Sequence, residues 1–308
     1  MDKDLKGIVK ELVVHIGVHK SGTTSIQEFV SRLNSTEHVE FYSGKAAREL
    51  RDAVDQIALS PFLEDSLLKR CRSLLANRLF ISSESLCGVR EDLYKGAYLE
   101  YLPATLKKIC PDKTSILITV RKPSKIIASM YVDSVLYGHT LQFDEWLATT
   151  KSRGWDTLWR FDRIYNAYKE YFSYVRVVDF DELLSDNASA LYDILNATKL
   201  MPNEHQTQDV KSLLSTKNVS PTLLGVRIQR AFINRFCETK LTKWQHIGGR
   251  KDLFFYTLMR YGINRALKQL KVSQDATRYY RIRYEQKYSA ECQFYTDKYM
   301  DLIRYGIS

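Results

Sequence analysis

No apolar run in this chain approaches the roughly 18 residues that a membrane-spanning helix needs. The N-terminal segment MDKDLKGIVKELVVHIG is charged, and its short apolar stretch leads straight into a glycine-bearing loop. It reads as a first strand and not as a signal peptide. Cysteine is scarce and scattered. The five cysteines, Cys71, Cys87, Cys110, Cys237 and Cys292, are odd in number and form no CxxC pair. That argues against a disulfide framework and against a zinc site. No other cluster of metal ligands stands out, and there is no repeat, low-complexity tract or flexible linker. A reducing cytoplasm is the simplest compartment for such a chain, with docking at a membrane surface left open.

What is present is ordinary globular material, 44% apolar and 27% charged over 308 residues. The net charge of +10 is unevenly placed. Basic and acidic residues balance over residues 1–200, so the whole excess falls in the last third. A basic region raises the local concentration of anionic partners: an anionic glycan, a nucleotide, a nucleic acid or a membrane surface. A merely solvated basic helical face accounts for it equally well.

Hydrophobic periodicity and the punctuation of Gly and Pro divide the chain into alternating elements. Residues 12–18 (LVVHIGV) read as a buried strand and Thr23 to Leu33 as a helix. Residues 45–59 and 61–76 read as helical, 78–83 (RLFISS) as a second strand, and 92–109 as a helix ending before Cys110-Pro111-Asp112. Residues 114–120 (TSILITV) are the clearest strand, and Pro123 suits the first turn of a helix running to about Tyr137. Helices follow at 142–150 and 156–171, a strand at 173–179 (SYVRVVD), and a helix at 188–199. The alternation predicts an α/β fold, a central, mostly parallel sheet flanked by helices. Beyond Leu200 no strand is evident. Residues 201–222 look loop-like and the rest helical. The expected organisation is an α/β core over 1–200 and a basic, mostly helical extension over 201–308, packed together as one structural domain.

The most specific segment is His15-Ile-Gly-Val-His-Lys-Ser-Gly-Thr-Thr-Ser-Ile-Gln27, between a strand and a helix. That setting offers free backbone N–H groups and the positive end of a helix dipole, which together cradle a phosphate. Gly17 and Gly22 let the chain turn and approach an anion closely. Lys20 brings a mobile cation, and Thr23, Thr24 and Ser25 add hydroxyls at the first helical turn. Compared with the nucleotide loop GxxxxGK[ST], both glycines match, but Thr23 stands where an ATP or GTP loop has lysine. The lysine has moved inside the loop, to position 20.

The stretch Gly-Val-His-Lys-Ser-Gly-Thr-Thr-Ser resembles the 5′-phosphosulfate loop of sulfotransferases that use 3′-phosphoadenosine 5′-phosphosulfate (PAPS), and is closest to bacterial carbohydrate-type members. A second segment, Val120-Arg121-Lys-Pro-Ser-Lys-Ile-Ile-Ala-Ser129, resembles that family's 3′-phosphate element, an arginine at a strand end followed eight residues later by a helix serine. Arginine suits the task because its planar fork pairs two phosphate oxygens and stays charged. Val177-Val-Asp-Phe-Asp-Glu-Leu-Leu184 and Lys217-Asn-Val-Ser220 are weaker echoes, read equally as a packing junction and a loop. The resemblance covers residues 12–200. It implies a P-loop-like fold and transfer of a sulfuryl group from PAPS, with 3′,5′-adenosine bisphosphate as product and no metal. The expected acceptor is a hydroxyl of a carbohydrate, glycolipid or polysaccharide, and no nucleic acid partner is expected. Donor contacts would come from Lys20, Ser21, Gly22, Thr23, Thr24, Ser25, Arg121 and Ser129.

Lys20 is the expected cation on the leaving phosphate. For the base, two residues compete. Glu84, in Ser82-Ser83-Glu84-Ser85, follows a strand at the end where α/β sheets bind ligands. His19 lies inside the loop and titrates near neutral pH. The segment Arg278-Tyr-Tyr-Arg-Ile-Arg-Tyr-Glu-Gln-Lys-Tyr288 could stack sugars or single-stranded nucleic acid, or bury its tyrosines as an amphipathic helix. Trp155 and Trp159, four apart, could floor an acceptor cleft or belong to the core. A P-loop kinase or NTPase, or a non-catalytic nucleotide- or nucleic-acid-binding protein, are the alternatives. Oligomeric state, the position modified and the choice of oxygen or nitrogen acceptor stay open.

Overall fold

The computed structural model describes residues 12–18, 20–33, 39–40, 64–75, 80–87, 98–136, 139–185, 223–237 and 275–306. Its five strands are β1 (Leu12–Gly17), β2 (Val39–Glu40), β3 (Phe80–Ser82), β4 (Thr114–Val120) and β5 (Tyr174–Asp179). They form one sheet in the order β2-β3-β1-β4-β5, with every pairing parallel. The reason is legible in composition. All six residues of β1 are buried, and β4 is buried at all but Ser115. Such mostly apolar strands, in which the buried polar His15 and Thr119 bond to each other, suit a sheet covered on both faces. Fully burying each Val, Leu or Ile side chain contributes about 1.5–3 kcal/mol.

The register brings the carboxyl ends of the strands together. Gly17 lies opposite Thr119, His15 opposite Ser82, and Val120 opposite Asp179. From the central strand β1 the chain visits β2 and β3 on one side, then β4 and β5 on the other. Ligands of open α/β sheets bind where the strand order reverses in this way.

The helices are α1 (Thr23–Leu33), α2 (Glu64–Leu75), α3 (Tyr98–Ile109), α4 (Pro123–Leu136), α5 (Phe143–Ser152), α6 (Phe161–Lys169), α7 (Phe180–Ser185), α8 (Leu223–Cys237), α9 (Ala276–Lys287) and α10 (Ser289–Gly306). Short 3-10 helices cover Glu84–Cys87 and Trp155–Trp159. The described elements divide into two compact units. The first holds the sheet, α1, α2, α3, α6, α7 and the chain from Asp297 onward. The second holds α4, α5, α8, α9 and the start of α10. The expected helices over 45–59 and 188–199, and the expected loop over 201–222, lie outside the described residues.

One expected helix, 156–171, is broken in two. Gly154 adopts a left-handed φ of 73°, and the 3-10 turn that follows ends at Arg160, whose φ of −93° and ψ of 66° leave the helical region. The Arg160 guanidinium pairs both carboxylate oxygens of Asp162, at 2.9 and 2.7 Å, and α6 restarts there. Trp155 and Trp159 therefore do not form one α-helical face, and Trp159 is buried in the core.

In the second unit, α9 packs on α4 and α8. Its Tyr280 and Tyr284 are buried against Phe143 of α5, and Tyr280 also meets Tyr131 of α4 at 4.6 Å between ring centroids. Asp144 gathers two of this helix's cations. Arg283 and Lys287 donate to its Oδ2 at 2.7 and 2.8 Å, and the Tyr288 hydroxyl donates to Oδ1 at 2.8 Å. The aromatic-basic segment is thus an amphipathic helix docked by its tyrosines and tied by its charges. Burial pushes the Tyr131 hydroxyl up to about 12, and the charge of Tyr280 adds to that.

Candidate active site

The loop between β1 and α1 has two residues in the left-handed region, Lys20 at φ 66° and Gly22 at φ 89°. Left-handed backbone costs a non-glycine residue about 1–2 kcal/mol. Hydrogen bonds hold the turn against that strain. The Ser21 N–H and Ser21 hydroxyl both donate to the Val18 carbonyl, at 3.0 and 2.6 Å. Ser21 is fully buried and uses these donors inside the loop. The Gly22 carbonyl then accepts from Ser25 and Ile26 at 3.0 and 3.2 Å, which starts α1. The N–H groups ahead of Ser25 at the start of the helix have no partner within it and face outward.

Both glycines are required by neighbours. A Cβ on Gly17 would stand 2.1 Å from the Thr23 Oγ1, and one on Gly22 would stand 2.1 Å from the Phe180 ring. Thr23 is 3% exposed, and its Oγ1 is buried with no hydrogen-bond partner among the described residues. The hydroxyl lies against Gly17, beneath the loop. Thr24 is exposed and Ser25 half-buried.

Three further strand ends converge on this loop. Arg121 follows β4. Its Nε donates to the Asp181 carboxylate at 3.2 Å, and its Nη1 makes a long 3.5 Å contact to the Lys20 carbonyl. Its guanidinium carbon lies 5.7 Å from the centroid of the Phe180 ring. Asp179 ends β5, and Asp181 lies in the first turn of the helix that follows. Burial, and then the charge of Asp179, raise the Glu182 carboxyl above the usual glutamate range. After β3, the Ser83 N–H donates to the His15 carbonyl at 3.1 Å, so the 3-10 helix beginning at Glu84 sits against β1.

Of the residues singled out from sequence, the structure gathers the Lys20–Ser25 loop, Arg121 and the backbone of Glu84 at one sheet edge. Ser129 lies half-buried in α4, in the second unit. His19 and the side chain of Glu84 lie outside the described residues. His15 is fully buried in mid-strand and hydrogen bonds to Ser82 Oγ at 2.8 Å and Thr119 Oγ1 at 2.7 Å, cross-linking three strands. Sequence reasoning missed Phe180, Asp179 and Asp181 as parts of the site. Their signal was the acidic strand-to-helix junction itself, whose residues look like a packing element until the arginine is placed beside them.

Among the described residues no group of three His, Cys, Asp or Glu side chains is placed to hold a metal ion. No helix among them is long and apolar enough to cross a membrane. No family model and no curated protein matches the chain. Among solved structures it is similar to a sulfotransferase from Alicyclobacillus acidocaldarius, 17% identical, over 78% of this chain and 100% of that one, with a TM-score of 0.42. It is also similar to the sulfotransferase domain of the Synechococcus PCC 7002 olefin synthase, 13% identical, over 82% of this chain and 94% of that one, with a TM-score of 0.34. The likeness is one of general form and assigns no residue.

Proposed function

We propose that the chain is a sulfotransferase that moves a sulfuryl group from PAPS to a hydroxyl of a carbohydrate, glycolipid or polysaccharide. The observation that supports this most is the loop itself. A strained lysine-bearing turn opens a helix, a buried threonine hydroxyl with no partner among the described residues lies behind it, and an arginine reaches its Lys20 carbonyl. These features fit a phosphate-like group with a second phosphate nearby.

In this reading the first-turn N–H groups of α1, with the hydroxyls of Thr23, Thr24 and Ser25, hold the 5′-phosphosulfate, while Ser21 keeps the turn shaped. The Lys20 ammonium lies on the bridging oxygen. Arg121 reads the 3′-phosphate, and the sequence spacing adds Ser129 to that task. Glu84 or His19 takes the acceptor proton. The acceptor oxygen forms its bond to sulfur as the bond from sulfur to the bridging oxygen breaks. The electron pair leaves with 3′,5′-adenosine bisphosphate, on which Lys20 stabilises the developing charge. Such transfers depend on positioning and electrostatics more than on covalent chemistry by the protein.

Calorimetric titration with 3′,5′-adenosine bisphosphate, against AMP and ATP with magnesium, tests the reading. Micromolar or tighter binding of the bisphosphate, well above both controls, is expected. Equal binding of bisphosphate and AMP would remove the 3′-phosphate site, and preference for ATP would move the protein to the kinases.

A further inference from the structure

The carboxylate of Asp179 closes β5 and is only 9% exposed. A buried carboxylate is costly unless its oxygens are bonded. Oδ1 accepts from the Asp181 N–H at 2.9 Å, and Oδ2 accepts from the hydroxyl of Tyr299. Tyr299 lies in the last half of α10, is 6% exposed, and packs its ring on Phe161 with centroids 6.2 Å apart. Burial, and then its bond to Asp179, push the Tyr299 hydroxyl well above the ordinary tyrosine range, so it stays a donor at physiological pH.

The consequence runs outward through bonded atoms. With both oxygens held, Asp179 fixes the start of α7. That places Phe180, whose ring fills the space a Gly22 side chain would need and lies under the Arg121 guanidinium. It also places Asp181, whose Oδ1 holds the Arg121 Nε. Among the described residues, Arg121 is thereby engaged at Nε and Nη1, which orients the rest of its fork.

We infer that Tyr299 is a positioning residue for anion recognition, acting through Asp179 and Asp181 on Arg121 and through Phe180 on the loop. The inference rests on the reading of Arg121 as the 3′-phosphate contact. It gives the C-terminal helix a part in donor selectivity that no motif in its sequence announces.

The test is Tyr299→Phe, which keeps the ring on Phe161 and removes the hydroxyl. The readout is the ratio of affinities for 3′,5′-adenosine bisphosphate and AMP, measured by calorimetry on the full chain. Losing one oriented, charge-assisted hydrogen bond should lower that ratio about threefold to tenfold, with AMP affinity nearly unchanged. A helix anchor with no role in recognition would lower unfolding stability and leave the ratio where it was, which overturns the inference. Asp181→Asn breaks the same link nearer the arginine and should lower the ratio similarly. The double variant should lose little more than either single one, because neighbours in one network are not additive. Fully additive losses would overturn the chain of coupling. If the unmodified protein shows no preference for the bisphosphate, it is the reading of Arg121 that fails. If the preference exists and both variants keep it, the coupling from Tyr299 through Asp181 fails while the reading of Arg121 stands.

Discussion

Replacing Gly22 by alanine tests the geometry of the loop without any assumption about its ligand. The residue has φ of 89°, and left-handed backbone costs an L side chain about 1–2 kcal/mol. The new Cβ would lie 2.1 Å from two atoms of the Phe180 ring, so the ring or the loop must move. Overpacking of this kind costs about 1–3 kcal/mol. Alanine recovers roughly 0.5–1 kcal/mol by restricting the unfolded chain, leaving a net loss of about 1–4.5 kcal/mol. Urea unfolding followed by circular dichroism measures it. The two contributions separate in a double-variant cycle with Phe180→Leu. In the leucine background the steric part falls away, and Gly22→Ala should cost only the backbone part less the same recovery, about 0–1.5 kcal/mol. Because Phe180 also lies under Arg121, Gly22→Ala should weaken binding of 3′,5′-adenosine bisphosphate. A variant within about 0.5 kcal/mol of the parent, or an equal cost in both backgrounds, would refute the reasoning.

Two further outcomes follow from buried or bonded polar groups. His15→Leu removes two hydrogen bonds from a dry sheet interior and strands the Thr119 hydroxyl, while Ser82 keeps its bond from Gln27 at 2.8 Å, so urea unfolding should show a loss of about 2–4 kcal/mol. Burial alone would raise the Asp144 carboxyl, but the bonds from Lys287, Tyr288 and Arg283 outweigh it and hold the group below its ordinary 3.8. A lowered folded-state value means stability that is present above the ordinary value and is lost as pH falls through the folded one. Asp144→Asn should therefore cost about 1–2 kcal/mol near neutral pH, and the difference from the parent should shrink below about pH 4, as read from urea midpoints across pH.

The parts of the fold that sequence announces are those with a local cause. Strands β1 and β4 are mostly apolar and buried along nearly their whole length because both faces are covered. Helix α4 begins at Pro123, where a missing N–H is harmless. Tyr280 and Tyr284 stand four apart and share a helix face, the spacing that lets the segment be read as an amphipathic helix beside the stacking alternative. By contrast, β2 has two residues, too few for any period to register. The break at Arg160 depends on a side chain folding back on Asp162 and on the left-handed Gly154, neither of which interrupts the apolar spacing. The same limit governs the site. Lys20 and Arg121 sit in recognisable segments, whereas the link from Asp179 to Tyr299 spans 120 residues and joins two residue types common in any helix or strand end. Pairings of that range arise from topology, so no local pattern carries them.

Lys20 offers a separate test of whether the loop is built for binding or for folding. A lysine at φ 66° is strained, and glycine would relieve the strain at the same position. Backbone strain retained at one residue is a reason to look for what that side chain does. If the ammonium serves an anion, stability and binding should move in opposite directions on Lys20→Gly. Relief of about 1–2 kcal/mol of left-handed strain, less roughly 0.5–1 kcal/mol for the freer unfolded chain, leaves the variant up to about 1.5 kcal/mol more stable. Lys20→Ala keeps the strain and should gain nothing. Both variants should bind 3′,5′-adenosine bisphosphate about tenfold or more weakly, since each removes a charged contact to phosphate. Unfolding and titration on the same pair of proteins decide between the two purposes. Equal stability of the glycine and alanine variants would mean that the backbone at position 20 is not held in the left-handed region. Unchanged binding in both would mean that the strain supports something other than an anion.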